Sequence, residues 1–181
     1  MENKTVLIKN AKIVNEGTIF NGDILIENEY IKKIAESISA KSADVHVFDA
    51  ENNYIFPGVI DDQVHFREPG STDVEDLESG SKAAVLGGVT SVFEMPNTNP
   101  PTSNQTEFNK KLNLAKNRMF CNYAFYFGAT PHNINDLKKL NNIEGWCGVK
   151  LYAGTNTVNI LVKDEKDREE VISNSSIIVA I

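Results

Sequence analysis

The residues best suited to chemistry lie in one stretch, Phe56 to Gly70, which reads FPGVIDDQVHFREPG. On a strand, residues two apart share a face, so Asp61, Gln63 and His65 point one way while Asp62 and Val64 point the other. Just past this run, Arg67 offers a planar fork of donors suited to a carboxylate, and Pro69-Gly70 turns the chain. Taken alone, His65 fits a hydrogen-bonded histidine more readily than a metal ligand, and Arg67 fits a solvated loop charge. Lys150, near the end of a later strand-like run, fits a lysine snorkelling from a strand end.

The elements that must position these side chains change character along the chain. Residues 4 to 56 alternate as short strands broken by turn signals: TVLIKNAKIV, NEG, TIF, NGD, ILIENEYIKKI, and DVHVFDA before ENN. That pattern predicts a small β-sandwich domain over residues 1–56. From Gly58 onward strands alternate with helices. GVIDDQVHF precedes a helix over Val74 to Leu86, which ends at Gly87-Gly88. VTSVFEM precedes a polar helix from about Ser103 to Lys116, MFCNYAFYFGA a helix near Ile134 to Leu140, and GWCGVKLYA a charged helix from Lys163 to Ile172; SIIVAI closes the chain. Strand and helix alternating without hairpin signals imply parallel strands with crossover helices. A doubly wound sheet and a barrel both fit that pattern. A full (β/α)8 barrel takes about 250 residues, more than this whole chain of 181. The expected fold class is therefore α/β: residues 57–181 form an incomplete TIM-type barrel of about five strands, the last of them cut by the chain end. In such a barrel the C-terminal strand ends carry the chemistry, which is where His65, Arg67 and Lys150 fall.

Composition narrows the partners. With 41% hydrophobic and 24% charged residues, the chain is an ordinary globular one. A formal charge of −7 leaves no basic footprint for nucleic acid. The opening MENKTVLIKN lacks the apolar core of a secretory signal, and no apolar run is long enough to span a bilayer, so a cytoplasmic location is expected. Cys121 and Cys147 form no CxxC and read as buried thiols.

At these motifs the chain resembles the cyclic amidohydrolases, and within them the dihydroorotases. That family's first barrel strand reads PGxIDxHxHxREPG, matched here at Pro57, Gly58, Asp61, His65, Arg67, Glu68, Pro69 and Gly70. Two further stretches continue the resemblance, GGVTSVFEMPNTNPPT at 87–102 and GVKLYAGTNTVN at 148–159. The resemblance implies a hydrolase holding one or two zinc ions. His65 would be a metal ligand, with Asp61 behind the ligands. Arg67 and Asn97 would hold the carboxylate of a small-molecule substrate. Lys150 falls where many relatives carry a carboxylated lysine bridging two zinc ions, although some use an aspartate. A lysine in an apolar barrel mouth has its charged form disfavoured, and the free amine can add carbon dioxide. The implied reaction is the reversible cyclisation of N-carbamoyl-L-aspartate to L-dihydroorotate in pyrimidine synthesis, with metal-activated water attacking the ring amide in the hydrolytic direction.

Two departures stand against the pattern. Gln63 occupies the place of the family's first histidine, and a neutral amide oxygen is a poorer zinc ligand than imidazole. The family's later histidine ligands and its general-base aspartate would fall beyond Ile181; neither His46 nor His132 replaces them by position. The expectation is that these 181 residues alone neither fold stably nor turn over substrate. Two other readings accompany the resemblance: a noncatalytic, dihydroorotase-like partner of aspartate transcarbamoylase, and an allantoinase or dihydropyrimidinase. Homodimers are usual for full-length members.

Overall fold

The computed structural model describes residues 4–40, 44–138, 140, 143–154 and 159–181. Residues 1–3 of the opening segment, Lys139 of the helix expected near Ile134 to Leu140, and residues 155–158 of the third motif lie outside the described residues. The chain divides into two compact units, Met1–Pro57 and Gly58–Ile181.

In the first unit, β1 (Thr5–Asn15), β2 (Thr18–Glu27), β3 (Tyr30–Ala35) and β4 (Val45–Asp49) form one sheet in the order β3-β2-β1-β4, and β5 (Tyr54–Ile55) also pairs with β1. Glu16 and Gly17, at φ of 48° and 75°, close the β1–β2 hairpin, as a tight turn with two left-handed residues should. Two local expectations are corrected. NGD does not interrupt TIF and ILIE, because β2 runs straight through; Gly22 is needed there, since a Cβ would lie 2.8 Å from the Ala35 carbonyl oxygen on β3. ILIENEYIKKI is two strands, reversed at Asn28, whose φ of 58° an asparagine tolerates. The buried face carries Ala11, Ile13 and Ile24. Asp23, buried beside them, is satisfied by the backbone N–H groups of Asn10 and Ile38 at 3.0 and 2.8 Å.

The second unit alternates β6 (Val59–Val64), α1 (Leu77–Leu86), β7 (Val89–Glu94), α2 (Gln105–Ala115), β8 (Asn122–Gly128), α3 (Ile134–Leu137), β9 (Trp146–Lys150), α4 (Glu165–Asn174) and β10 (Val179–Ala180). The five strands lie in sequential order and every pairing is parallel, an arc of a β/α barrel. Helix starts follow local chemistry. Asp76 caps α1 by accepting the Ser79 N–H, so the helix begins at Leu77, three residues later than the composition predicts. Asn104 and Asp164 cap α2 and α4 in the same way. The third helix is a single turn.

Val92, Phe125, Phe127 and Val149 on the strands pack against Leu77, Phe108, Leu137 and Val171 on the helices. Phe108 meets Phe125 edge to face at 6.5 Å. Both cysteines are free thiols, half-buried and not fully so. Among the described residues, no helix is long and apolar enough to cross a membrane.

Candidate active site at the strand ends

Three strands of the second unit end in the residues singled out by the sequence. After β6 come His65, Phe66 and Arg67; after β7 come Met95 to Asn99; β9 ends on Lys150. The first two ends are bound to each other. Met95 donates its N–H to the Val64 carbonyl at 2.9 Å, and Asn99 donates to the Pro69 carbonyl at 3.0 Å. Gly70, at φ 120°, is pressed so closely on this loop that a Cβ would fall 2.7 Å from the Asn99 oxygen. Below them Phe66 is buried against α1, where a Cβ on Gly80 would lie 2.5 Å from its ring.

This arrangement brings three predicted residues together. His65 Nδ1 lies 2.8 Å from Asn97 Oδ1. Arg67 and Asn97 line one polar cleft of about 260 Å³, whose wall also includes Phe66, Pro69, Ser71, Thr98 and Asn99. An amide oxygen only accepts, so the contact needs a proton on His65 Nδ1, leaving Nε2 with a lone pair. The donors of this amide are its two Nδ2 hydrogens, and Asn97 is one of the residues lining the cleft.

Asp61 and Gln63 follow a different geometry from simple alternation. The register between β6 and β7 shifts between Asp61 and Val64, where β6 carries one extra residue. Asp61 Oδ1 accepts the Gln63 N–H at 3.0 Å across this bulge. A bulge re-aims side chains, so period two is interrupted just before His65. Gln63 is exposed and Asp61 half-buried.

Lys150 stands three strands away from His65 in the sheet. It is only 6% exposed, and its Nζ sits 5.1 Å from the centre of the Tyr152 ring. Burial pushes its pKa below the ordinary lysine value. Among the described residues, no group of three or more histidine, cysteine, aspartate or glutamate side chains converges as a metal cage. What the described residues offer a metal is one imidazole with its other nitrogen engaged, and one buried amine whose charge is disfavoured.

The sequence reading missed a fully buried ion pair next to this site. Glu94, the last residue of β7, meets Lys111 of α2; the Lys111 ammonium also donates to the Met95 carbonyl at 3.1 Å and lies over the Phe125 ring. Burial raises the Glu94 pKa and lowers that of Lys111, each opposed by the other's charge. The signal was present: Lys111 shares a helix face with Phe108, Leu112 and Ala115, where an isolated surface lysine has no place.

Residues 54–176 match the family model described as Amidohydrolase family. The chain is 35% identical over 166 residues to a dihydroorotase of Methanosarcina mazei, covering 92% of this chain and 36% of that protein. It is 49% identical over 94 residues to a dihydroorotase of Staphylococcus epidermidis, covering 52% and 22%. An allantoinase of Desulfitobacterium hafniense is 33% identical over 154 residues, covering 84% and 34%. Among solved structures, an L-hydantoinase (dihydropyrimidinase) from Arthrobacter aurescens superposes with a TM-score of 0.84 at 27% identity, covering 96% of this chain and 40% of that one. The chain thus spans about a third or less of the length of these curated relatives.

Proposed function

The chain belongs to the amidohydrolase family, and on that premise we propose that it supplies the carboxylate-binding and part of the metal-holding side of a dihydroorotase. The reaction is the opening of L-dihydroorotate to N-carbamoyl-L-aspartate and its reversal, a step of pyrimidine synthesis. The observation that carries this reading is the cleft in which Arg67 and Asn97 converge, with Asn97 tied to His65.

The Arg67 guanidinium would take the ring carboxylate in a two-point, charge-assisted contact. Asn97 Nδ2 would donate to the same carboxylate while its Oδ1 keeps the His65 proton on Nδ1. Two points of attachment fix the ring plane, so the amide carbonyl meets its nucleophile in one orientation. His65 through Nε2 and Lys150 as its carbamate would hold zinc. A zinc ion bound there would supply the Lewis acidity that activates water near neutral pH and polarises the amide carbonyl. The depressed pKa of Lys150 favours the free amine that carbamate formation requires.

A second reading, an allantoinase, is supported by the Desulfitobacterium hafniense relative. Allantoin carries no carboxylate, so Arg67 would lack its partner. The test is kcat/KM of the full-length, zinc-loaded protein on L-dihydroorotate, allantoin, hydantoin and dihydrouracil. Preference for L-dihydroorotate is the expected result; preference for an uncharged ring overturns the proposal.

A further inference from the structure

Arg67 is exposed and Glu68, the next residue, is 7% exposed. Arg67 lines the cleft while Glu68 is held by Leu77 and Arg118, so the backbone that holds Glu68 also carries Arg67. Three donors hold it. Its Oε2 accepts the Leu77 N–H at 2.9 Å, at the first turn of α1, and an Arg118 Nη2 hydrogen at 3.1 Å; its Oε1 accepts from Arg118 Nη1 at 2.8 Å. Arg118, just past α2, also donates to the Leu114 carbonyl at 3.1 Å. One carboxylate therefore ties the β6 strand end to the start of α1 and the end of α2.

We infer that Glu68, through its forked pair with Arg118, is a positioning residue that sets how Arg67 meets a carboxylate in the cleft. This rests on the carboxylate-binding role proposed for Arg67. The rest of the turn is already fixed: Ser71 donates to the Arg67 carbonyl at 2.8 Å, and Pro69-Gly70 is docked on the Asn99 loop. On the helix side Phe66 is buried against α1, and Glu68 adds the charged anchor directly after Arg67. The surroundings also separate this role from general stability. Arg118 lies 3.9 Å from Asp76 Oδ2 and 3.8 Å from Glu78 Oε2, so losing the Glu68 charge leaves the guanidinium with two other carboxylates. The fold tolerates that loss better than the aim of Arg67 does.

The test is a double-mutant cycle in the full-length, zinc-loaded protein, reading the dissociation constant of orotate, a carboxylated ring that is not turned over. Glu68→Gln is expected to weaken orotate up to about 100-fold, the scale of losing one charge-assisted contact to Arg67. In an Arg67→Ala background the same change should add less than about twofold, because the effect travels through Arg67. Arg118→Lys keeps the charge but not the fork, and should weaken orotate in the same non-additive way, which covers the case of Glu68→Gln failing to fold. Equal effects in both backgrounds, or undiminished orotate binding in the folded variants, would overturn the inference alone. A wild-type protein that neither hydrolyses L-dihydroorotate nor binds orotate would overturn the functional reading on which it rests.

Discussion

His65 Nδ1 and Asn97 Oδ1 stand 2.8 Å apart, joining the ends of two adjacent parallel strands through one amide. That amide has two jobs. Its oxygen fixes the imidazole tautomer, and Asn97 lines a cleft shared with Arg67, where its NH₂ would meet a carboxylate. Partners of a ligating histidine tune metal affinity by about 10- to 100-fold. Asn97→Ala should therefore weaken zinc by that factor in chelator competition. Asn97→Asp keeps an acceptor for His65 but has no donor for a carboxylate. It should hold zinc nearly as wild type does while its KM for L-dihydroorotate rises. An Asn97→Ala protein with unchanged zinc affinity would contradict this division of roles.

The buried Glu94–Lys111 pair makes a second prediction, with a definite sign in pH. Lys111→Met removes the counter-charge of Glu94, a change that costs about 3–5 kcal/mol in comparable buried pairs once the remaining partner is ionised. Burial already raises the Glu94 pKa, and losing Lys111 raises it further. A raised carboxyl pKa means that the folded state holds a proton the unfolded chain releases near 4.5. Stability tied to that proton is complete below this value and is lost as pH rises through the folded pKa. Urea unfolding should show the deficit of Lys111→Met widening as pH rises above about 8, where wild-type Glu94 ionises against Lys111 and the variant's Glu94 has no counter-charge. Replacing both residues, as Glu94→Leu with Lys111→Met, should recover most of the loss; failure to do so would argue that the pair holds more than its own charges.

Cys147 gives a chemical prediction. Burial pushes its thiol up to about 12, so the reactive thiolate is scarce at ordinary pH. Native protein treated with iodoacetamide at about pH 8 should remain unmodified at Cys147, and unfolded protein should be alkylated there readily. The same shift means that stability from this group is intact below about pH 9 and lost as pH rises toward 12. Rapid alkylation of Cys147 in the folded protein would contradict the raised thiol pKa.

Much of this was legible in the sequence because it is local. The helix starts expected at Val74, about Ser103 and Lys163 fall within three residues of the observed starts at Leu77, Gln105 and Glu165, where Asp76, Asn104 and Asp164 supply the caps. The alternation of apolar strands with helices carries the parallel sheet without long-range information. The exceptions are non-local or depend on one extra residue. Glu68 and Arg118 are 50 residues apart, and Glu94 meets Lys111 across the helix–sheet layer. The bulge between Asp61 and Val64 shows only when β6 is laid beside β7. The reversal at Asn28 was hidden inside a run with no glycine or proline to mark a turn.

Lys150 yields a further expectation. Its depressed pKa and burial favour carbamate formation, so zinc binding by the full-length protein should strengthen with added bicarbonate. Lys150→Gln should abolish the bicarbonate response. A zinc affinity indifferent to both changes would remove Lys150 from the metal site.

The most direct test of the account is hydrolysis of L-dihydroorotate by the zinc-loaded, full-length protein, compared between wild type and Arg67→Met. The account predicts turnover by wild type, and a loss in Arg67→Met of roughly 10- to 100-fold in kcat/KM carried mainly by KM, the scale of one charge-assisted contact. Absence of wild-type turnover, or turnover that Arg67→Met leaves unchanged, would contradict it.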